Sequence, residues 1–211
     1  MQLRVAHCVE ICSALGPPGW PMAAVWLKGC HGDCRGCLAP ELRSSTGGKL
    51  VSAAEVARWV CGLPRILGLV GSGGEPFDQA EGLAECLALV RRQRPDLGII
   101  VYTGYEVDAV LRNGTEAQVR LIADGLVDVV IDGPFVEELP PAPLRGSSNQ
   151  CLVAVTPKGE GMCSLIPAQG PNRVEVAVRD GKLFWVGIPP RGFGDRLPSE
   201  LRESGVILRG V

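Results

Sequence analysis

Three times along this chain an unbroken apolar run ends in a glycine-containing loop and gives way to a segment with helical character. That repeat restricts the fold more than any other feature. The runs Ala23–Leu27, Ile66–Val70 and Gly98–Tyr102 are followed by a fourth, Val127–Ile131, and the first three show no alternation of polar side chains. A strand that is apolar throughout has both faces to cover, as in the parallel sheet of β/α units. Between the runs, Ser52-Ala53-Ala54-Glu55 has the form of a capping box, opening a helix that ends near Cys61 before Gly62 and Pro64. Ala80, Leu83, Ala84, Leu87 and Val90 recur at helical spacing and place an amphipathic helix over Gln79–Arg92, stopped before Pro95. Helical segments after Thr103-Gly104 continue to about Asp124. Strands alternating with helices imply an α/β fold with parallel strands, whose ligands sit where loops leave the carboxyl ends of the strands.

After Gln150 the texture changes. Arg173–Val178 and Leu183–Val186 alternate across Asp180-Gly181, a hairpin-turn pair, and Leu197–Glu203 fits a short last helix. The reading divides the chain into residues 1–150, a β/α portion, and residues 151–211, a small β-rich C-terminal extension. A net charge of -2 without a basic stripe argues against nucleic acid or an anionic membrane as partner. The N-terminus lacks the pattern of a secretion signal and no apolar run reaches bilayer length, so a cytoplasmic location is expected. The nine cysteines, an odd number, then point to metal or redox chemistry rather than a set of disulfides.

Cys30, Cys34 and Cys37 lie on one short loop after the first apolar run. Three thiolates can ligate three irons of a [4Fe–4S] cubane and leave the fourth iron open to a substrate. A structural zinc, with His31 as a candidate fourth ligand, and three unligated thiols are the alternatives. Zinc sites more often pair two short knuckles, and a second knuckle is missing. Cys8, Cys12, Cys61, Cys86, Cys151 and Cys163 read as small buried hydrophobes; Cys8 and Cys12 have ligand spacing but nothing nearby completes a site.

The spacing Cys30-x-x-x-Cys34-x-x-Cys37 is similar to the signature of radical S-adenosylmethionine enzymes, and Gly73-Gly74-Glu75-Pro76, one β/α unit later, resembles their second motif. Further runs are Trp26-Leu27-Lys28-Gly29-Cys30, Tyr102-Thr103-Gly104-Tyr105, Asp132-Gly133-Pro134-Phe135 and Arg145-Gly146-Ser147-Ser148-Asn149-Gln150. Together they resemble the activating proteins of anaerobic ribonucleotide reductase, within the glycyl-radical enzyme activases, over about Trp20 to Gln150. Gly36 stands where many radical enzymes carry an aromatic, as it tends to in the reductase activases. The Gly16–Trp20 approach and the long tail depart from that family.

The resemblance implies a partial, incomplete TIM-type β/α barrel. It implies a [4Fe–4S] cluster on Cys30, Cys34 and Cys37, with S-adenosylmethionine chelating the open iron. Backbone groups of Gly73 and Gly74 and the Glu75 carboxylate, in the turn closed by Pro76, would receive its amino group. Tyr102, Thr103 and Gly104 would flank the cofactor, and Asp132 would contact the adenosine end or shape a turn. Arg145–Gln150 would serve the cofactor, a partner, or only a solvated loop. The implied activity is reductive cleavage of S-adenosylmethionine to a 5'-deoxyadenosyl radical, with the electron from a cytosolic one-electron donor such as flavodoxin or ferredoxin. The radical would then act on a glycine of a large glycyl-radical enzyme. The alternatives are a radical enzyme modifying another peptide or small molecule, and a zinc or iron–sulfur adaptor without activity.

Overall fold

Four parallel strands, taken in chain order, form the centre of a seven-stranded sheet in the computed structural model, which describes residues 1–179 and 182–203. The Asp180-Gly181 turn expected from sequence lies outside the described residues. The strands are β1 (Gln2–Cys12), β2 (Met22–Leu27), β3 (Lys49–Ser52), β4 (Gly68–Gly73), β5 (Gly98–Tyr102), β6 (Val129–Asp132) and β7 (Cys151–Ala154), ordered β3-β1-β2-β4-β5-β6-β7. Neighbours among β2, β4, β5 and β6 pair parallel, whereas β1 is antiparallel to β2 and β3, and β7 is antiparallel to β6. The molecule is therefore mixed α/β with a mostly parallel central sheet.

Helices α1 (Ala53–Cys61), α2 (Ala80–Gln93), α3 (Val107–Asn113) and α4 (Glu116–Ala123) follow within the β/α portion, and α5 (Pro157–Ser164) follows β7. The capping box forms as expected: Ser52 Oγ accepts from the Glu55 N–H at 3.2 Å, and Glu55 Oε2 accepts from the Ser52 N–H at 3.0 Å. A second box, between Thr115 and Gln118, opens α4.

Both faces of the central strands are covered, which is why their sequence is apolar without alternation. On one face Val56 and Val60 of α1 and Leu83, Leu87 and Val90 of α2 pack with Val25, Leu69, Ile99 and Val101. On the other, Ala24, Val70, Ile100, Val129 and Ile131 meet Leu15, Leu144, Met162, Ile166 and Ile188. Each fully buried side chain of this size stabilises by about 1.5–3 kcal/mol.

Several boundaries differ from the sequence reading. The second central strand begins at Gly68, not Ile66, and continues through Gly71-Ser72-Gly73, read above as loop. Parallel pairing from Met22↔Gly68 to Leu27↔Gly73 holds those glycines extended. A Cβ on Gly68 would sit 2.4 Å from Gly98 O and 2.5 Å from Met22 Cε, so a tight crossing selects the residue that looks like a loop signal. β6 starts at Val129 instead of Val127. β1, β3, β7 and α5 were not expected, and the main sheet continues past Gln150 into β7. In the tail, β8 (Val174–Arg179) and β9 (Lys182–Gly187) form the expected antiparallel hairpin, and α6 (Phe193–Glu203) starts four residues before the expected Leu197. Among the described residues no helix is long and apolar enough to cross a membrane.

Candidate metal centre

β2 ends at Leu27 and releases an irregular loop that carries the three cysteines and closes in a 3-10 turn, Pro40–Leu42. Its two ends are stitched together. The Gly29 N–H donates to Leu42 O at 2.8 Å and the Cys30 N–H to Arg43 O at 2.9 Å, while the Arg43 guanidinium reaches Gly32 O at 2.8 Å. Cys30, Cys34 and Cys37 are free and half-buried. Burial pushes the Cys30 thiol above its usual value, and the Gly32 N–H, 3.3 Å from Cys30 Sγ, pulls the other way by favouring the thiolate.

This donor set fits an iron–sulfur cluster. The three candidate donors are soft thiols on one pinned loop, partly screened from water. Among the described residues no three His, Cys, Asp or Glu side chains converge on a single ion. A cubane does not ask them to, since each of three thiolates binds a different iron.

The Gly73-Gly74-Glu75-Pro76 segment lies directly against this loop. The Gly74 N–H donates to Leu27 O and the Glu75 N–H to Gly29 O, each at 2.8 Å. Both glycines are required by this approach: a Cβ on Gly73 would lie 2.2 Å from Leu27 O, and one on Gly74 2.1 Å from Gly29 O. Gly73 also has φ +118°, a conformation that L side chains rarely adopt. The pair thus joins the two loops backbone to backbone.

Glu75 is 2% exposed and turned into the protein. Its Oε1 accepts from the Phe77 N–H and from Thr103 Oγ, each at 2.8 Å, and its Oε2 accepts from the Gly104 N–H at 2.7 Å. Burial raises its pKa against the downward pull of these donors. Three of the roughly four lone-pair sites of a carboxylate are filled from within, so Glu75 braces the β4 loop against the β5 loop. Pro76 is buried and opens a 3-10 turn, Pro76–Gln79, that leads into α2. Thr103 and Gly104 accordingly reach the site region through Glu75.

Tyr102 projects to the opposite face of the sheet, beside Cys12; its hydroxyl is buried and, among the described residues, has no hydrogen-bond partner. Asp132 Oδ2 accepts from the Val107 N–H at 2.8 Å and so satisfies a free donor at the start of α3. Arg145–Gln150 is only in part a solvated loop: Ser148 and Asn149 are exposed, while Ser147 is buried. Gln150 Nε2 donates to Gly133 O at 3.0 Å, Asn149 Nδ2 to Pro134 O at 2.8 Å, and Ser147 Oγ accepts from the Val136 N–H at 3.0 Å. The motif is zipped onto the Asp132–Phe135 turn.

That β6 loop also reaches the cysteine loop. Gly36 has φ +66°, and a Cβ there would meet Glu137 Cδ at 2.5 Å, while Arg35 pairs with Glu137 at 3.3 Å across an exposed gap. The sequence reading left two residues of the site unassigned. Asp78 Oδ1 lies 2.8 Å from His31 Nδ1 and accepts from Tyr105 Oη at 2.9 Å, and Asp78 Oδ2 accepts from the His31 N–H at 3.0 Å. His31 and Tyr105 are in ring contact with centroids 4.9 Å apart, and burial together with Asp78 pushes the Tyr105 hydroxyl up to about 12. Tyr105 stood in a run that the resemblance singled out; Asp78 had only its place two residues after Pro76 as a signal.

The other cysteines divide. Cys12 and Cys86 are buried and Cys61 and Cys163 half-buried, but Cys8 and Cys151 are exposed, contrary to the expectation of burial for all six. Residues four apart in a strand share a face, yet the register shift between Val9 and Cys12 breaks that parity and separates Cys8 from Cys12.

With the geometry established, comparison with known proteins places the chain. The family described as 4Fe-4S single cluster domain matches residues 18–153, which contain all three cysteines and the loops packed on them. The anaerobic ribonucleoside-triphosphate reductase-activating protein of Haemophilus influenzae is 31% identical over 136 residues, covering 61% of this chain and 84% of that protein. The protein of the same name from Pasteurella multocida is 28% identical over 141 residues, covering 63% of this chain and 86% of that protein. The chain belongs to the 4Fe-4S single cluster domain family and, within it, to the family of these reductase-activating proteins.

Proposed function

We propose that this chain is a radical S-adenosylmethionine activating enzyme for an anaerobic ribonucleotide reductase. The observation that carries the reading is the direct backbone junction between the cysteine loop and Gly73–Pro76, made by Gly74 N–H to Leu27 O and Glu75 N–H to Gly29 O at 2.8 Å. Cys30, Cys34 and Cys37 hold a [4Fe–4S] cluster. When bound, the cluster and S-adenosylmethionine supply the radical chemistry: one electron cleaves the sulfonium carbon–sulfur bond, giving methionine and a 5'-deoxyadenosyl radical that takes a hydrogen atom from a partner glycine. Gly74, whose N–H is held by Leu27 O of β2, and Gly73 beside it present carbonyl oxygens to the ammonium of S-adenosylmethionine. Glu75, with one lone-pair site left, holds that turn rigid through Thr103 and Gly104 and adds its negative charge. Tyr102 contributes ring surface, and Asp132 acts by fixing α3 beside the site.

The contact of the β2 loop with the β6 loop, through Gly36 and Glu137, supports a sheet curved into a partial TIM-type barrel, because those strands stand about 14 Å apart in a flat sheet. Residues 1–150 carry the chemistry, and beyond β7 the tail residues Met162, Ile166 and Ile188 cover the inner face. The chain works in the cytoplasm, where the six thiols outside the cluster stay reduced, with a large glycyl-radical enzyme as partner and a flavodoxin or ferredoxin as electron donor.

The test is anaerobic reconstitution with iron and sulfide, reduction, addition of S-adenosylmethionine, and quantification of 5'-deoxyadenosine against Cys34→Ala. Product that disappears in the variant is expected. A chain bearing a full cluster that yields no product refutes the reading.

A further inference from the structure

A groove of about 440 Å³ opens beside the cysteine loop, on the side of β1, and Cys30 itself is in its wall. Arg4, Lys28 and Arg43 line it from three different segments. Each cation is steadied by one backbone carbonyl: Arg4 by Gly47 O at 3.0 Å, Lys28 by Glu41 O at 2.6 Å and Arg43 by Gly32 O at 2.8 Å. Among the described residues none of the three has a carboxylate within ion-pair distance, and Asp78, also in the wall, is engaged by His31. An ammonium has three donors and a guanidinium five, so most of their donor capacity is left for a partner. A chain whose net charge is -2 has here concentrated three unneutralised positive charges around one cluster ligand.

We infer that this groove docks the acidic face of a one-electron carrier protein and brings its redox group next to Cys30. The inference rests on the functional reading above and names the surface through which that site is reduced. The carrier, a reduced flavin or iron–sulfur protein, gives up one electron and is itself oxidised by one; the cluster takes up that electron. Complementary charge across such a rim raises encounter rates and makes them fall with salt.

The test uses the full chain and an acidic flavodoxin as probe. Calorimetric binding of oxidised flavodoxin is measured for wild type, Arg4→Glu and Arg4→Glu/Lys28→Glu, at low and physiological salt. Binding that weakens with salt in the wild type, and falls by about tenfold in the double variant, is expected. Bleaching of the cluster by reduced flavodoxin slows in step, while photoreduction by uncharged deazaflavin and the iron content of Arg4→Glu stay at wild-type values. Equal flavodoxin affinity in all three proteins, or binding indifferent to salt, overturns the inference. So does charge-dependent binding of inorganic phosphate without binding of flavodoxin. A wild-type chain that assembles no cluster overturns the functional reading instead, and flavodoxin binding to that same chain still decides the groove.

Discussion

Replacing Gly74 by alanine tests the junction between the two motifs. The added Cβ would lie 2.1 Å from Gly29 O, 2.7 Å from Gly29 C and 2.9 Å from Leu42 O, all backbone atoms that no rotamer change can move. Real Cβ contacts are not closer than 3.0 Å, so Gly29 must retreat by about 0.9 Å. A retreat of that size carries the 2.8 Å bond from the Glu75 N–H to Gly29 O to about 3.7 Å, outside hydrogen-bonding range. An unpaired buried N–H costs about 1–3 kcal/mol and overpacking about as much again. Gly74→Ala is therefore expected to destabilise the chain by about 2–6 kcal/mol and to lower iron incorporated per chain, because the displaced residue adjoins Cys30. Gly161→Ala is the control. It sits in α5 with nothing within 4 Å of the new Cβ, and should be neutral or stabilising by up to about 1 kcal/mol. Urea unfolding of both, with iron and sulfide assays, decides. Gly74→Ala with wild-type stability and full iron loading refutes the claim that these glycines serve close approach.

Tyr102→Phe removes a buried hydroxyl without a partner and is expected to leave stability unchanged or raise it by about 1 kcal/mol in the same assay; a clear loss would reveal a partner for that hydroxyl. Asp128, 2% exposed, accepts from Arg91 Nη2 at 2.7 Å, from the Ile99 N–H at 2.8 Å and from Thr156 Oγ at 2.5 Å, tying α2, β5 and the start of α5. Asp128→Ala strands the Arg91 charge and should cost about 3–5 kcal/mol, read as a lowered urea midpoint; a change under 1 kcal/mol would deny that brace. Burial pushes the Cys12 and Cys86 thiols up to about 12 from 9.0. Their folded pKa values exceed the unfolded ones, so stability is intact below pH 9. Above it the unfolded chain loses these protons first, and stability falls by about 1.4 kcal/mol per pH unit per thiol toward pH 12. Cys86→Ala should flatten that slope, and an unchanged slope would exclude the thiol as its source. Under native conditions at pH 8 an alkylating reagent should modify Cys151 quickly, Cys8 more slowly because partial burial raises its thiol pKa, and Cys12 and Cys86 only on unfolding, which peptide mass mapping checks.

The parallel core was legible because burial on both faces leaves a direct trace, the apolar run without alternation. The first capping box was legible because its chemistry lies within four residues. The antiparallel strands that flank this core were not. β1 lies between β3 and β2, and β3 and β7 are four-residue strands, each with one side at the sheet edge. Gly71-Ser72-Gly73 read as loop because glycine is ordinarily a breaker, and only the neighbouring backbone of β2 shows why it stands in a strand. α5 contains Pro157, Gly159 and Gly161 and has little apolar periodicity; its place depends on Gly159 lying against Asp128 and on Met162 entering the core.

At the site, the sequence by itself determined the donor set and its order. Three thiols on one loop with a Gly-Gly-Glu-Pro turn one β/α unit later are local features, and local spacing is sufficient to state them. What those residues face was decided only by tertiary structure. Glu75 turns inward because Thr103 and Gly104, brought beside it by parallel pairing of β4 with β5, supply donors in a buried place where a carboxylate without them would be costly. Tyr102 is turned to the face that carries Cys12 by the alternation of side chains along β5, and Arg145–Gln150 is drawn onto the Asp132–Phe135 turn by backbone groups that need partners. Asp78 and Arg4 come beside Cys30 from 48 and 26 residues away along the chain. Their charges join a site that no local pattern contains, because hydrogen bonds and Coulomb forces depend on distance in space and not on separation in sequence.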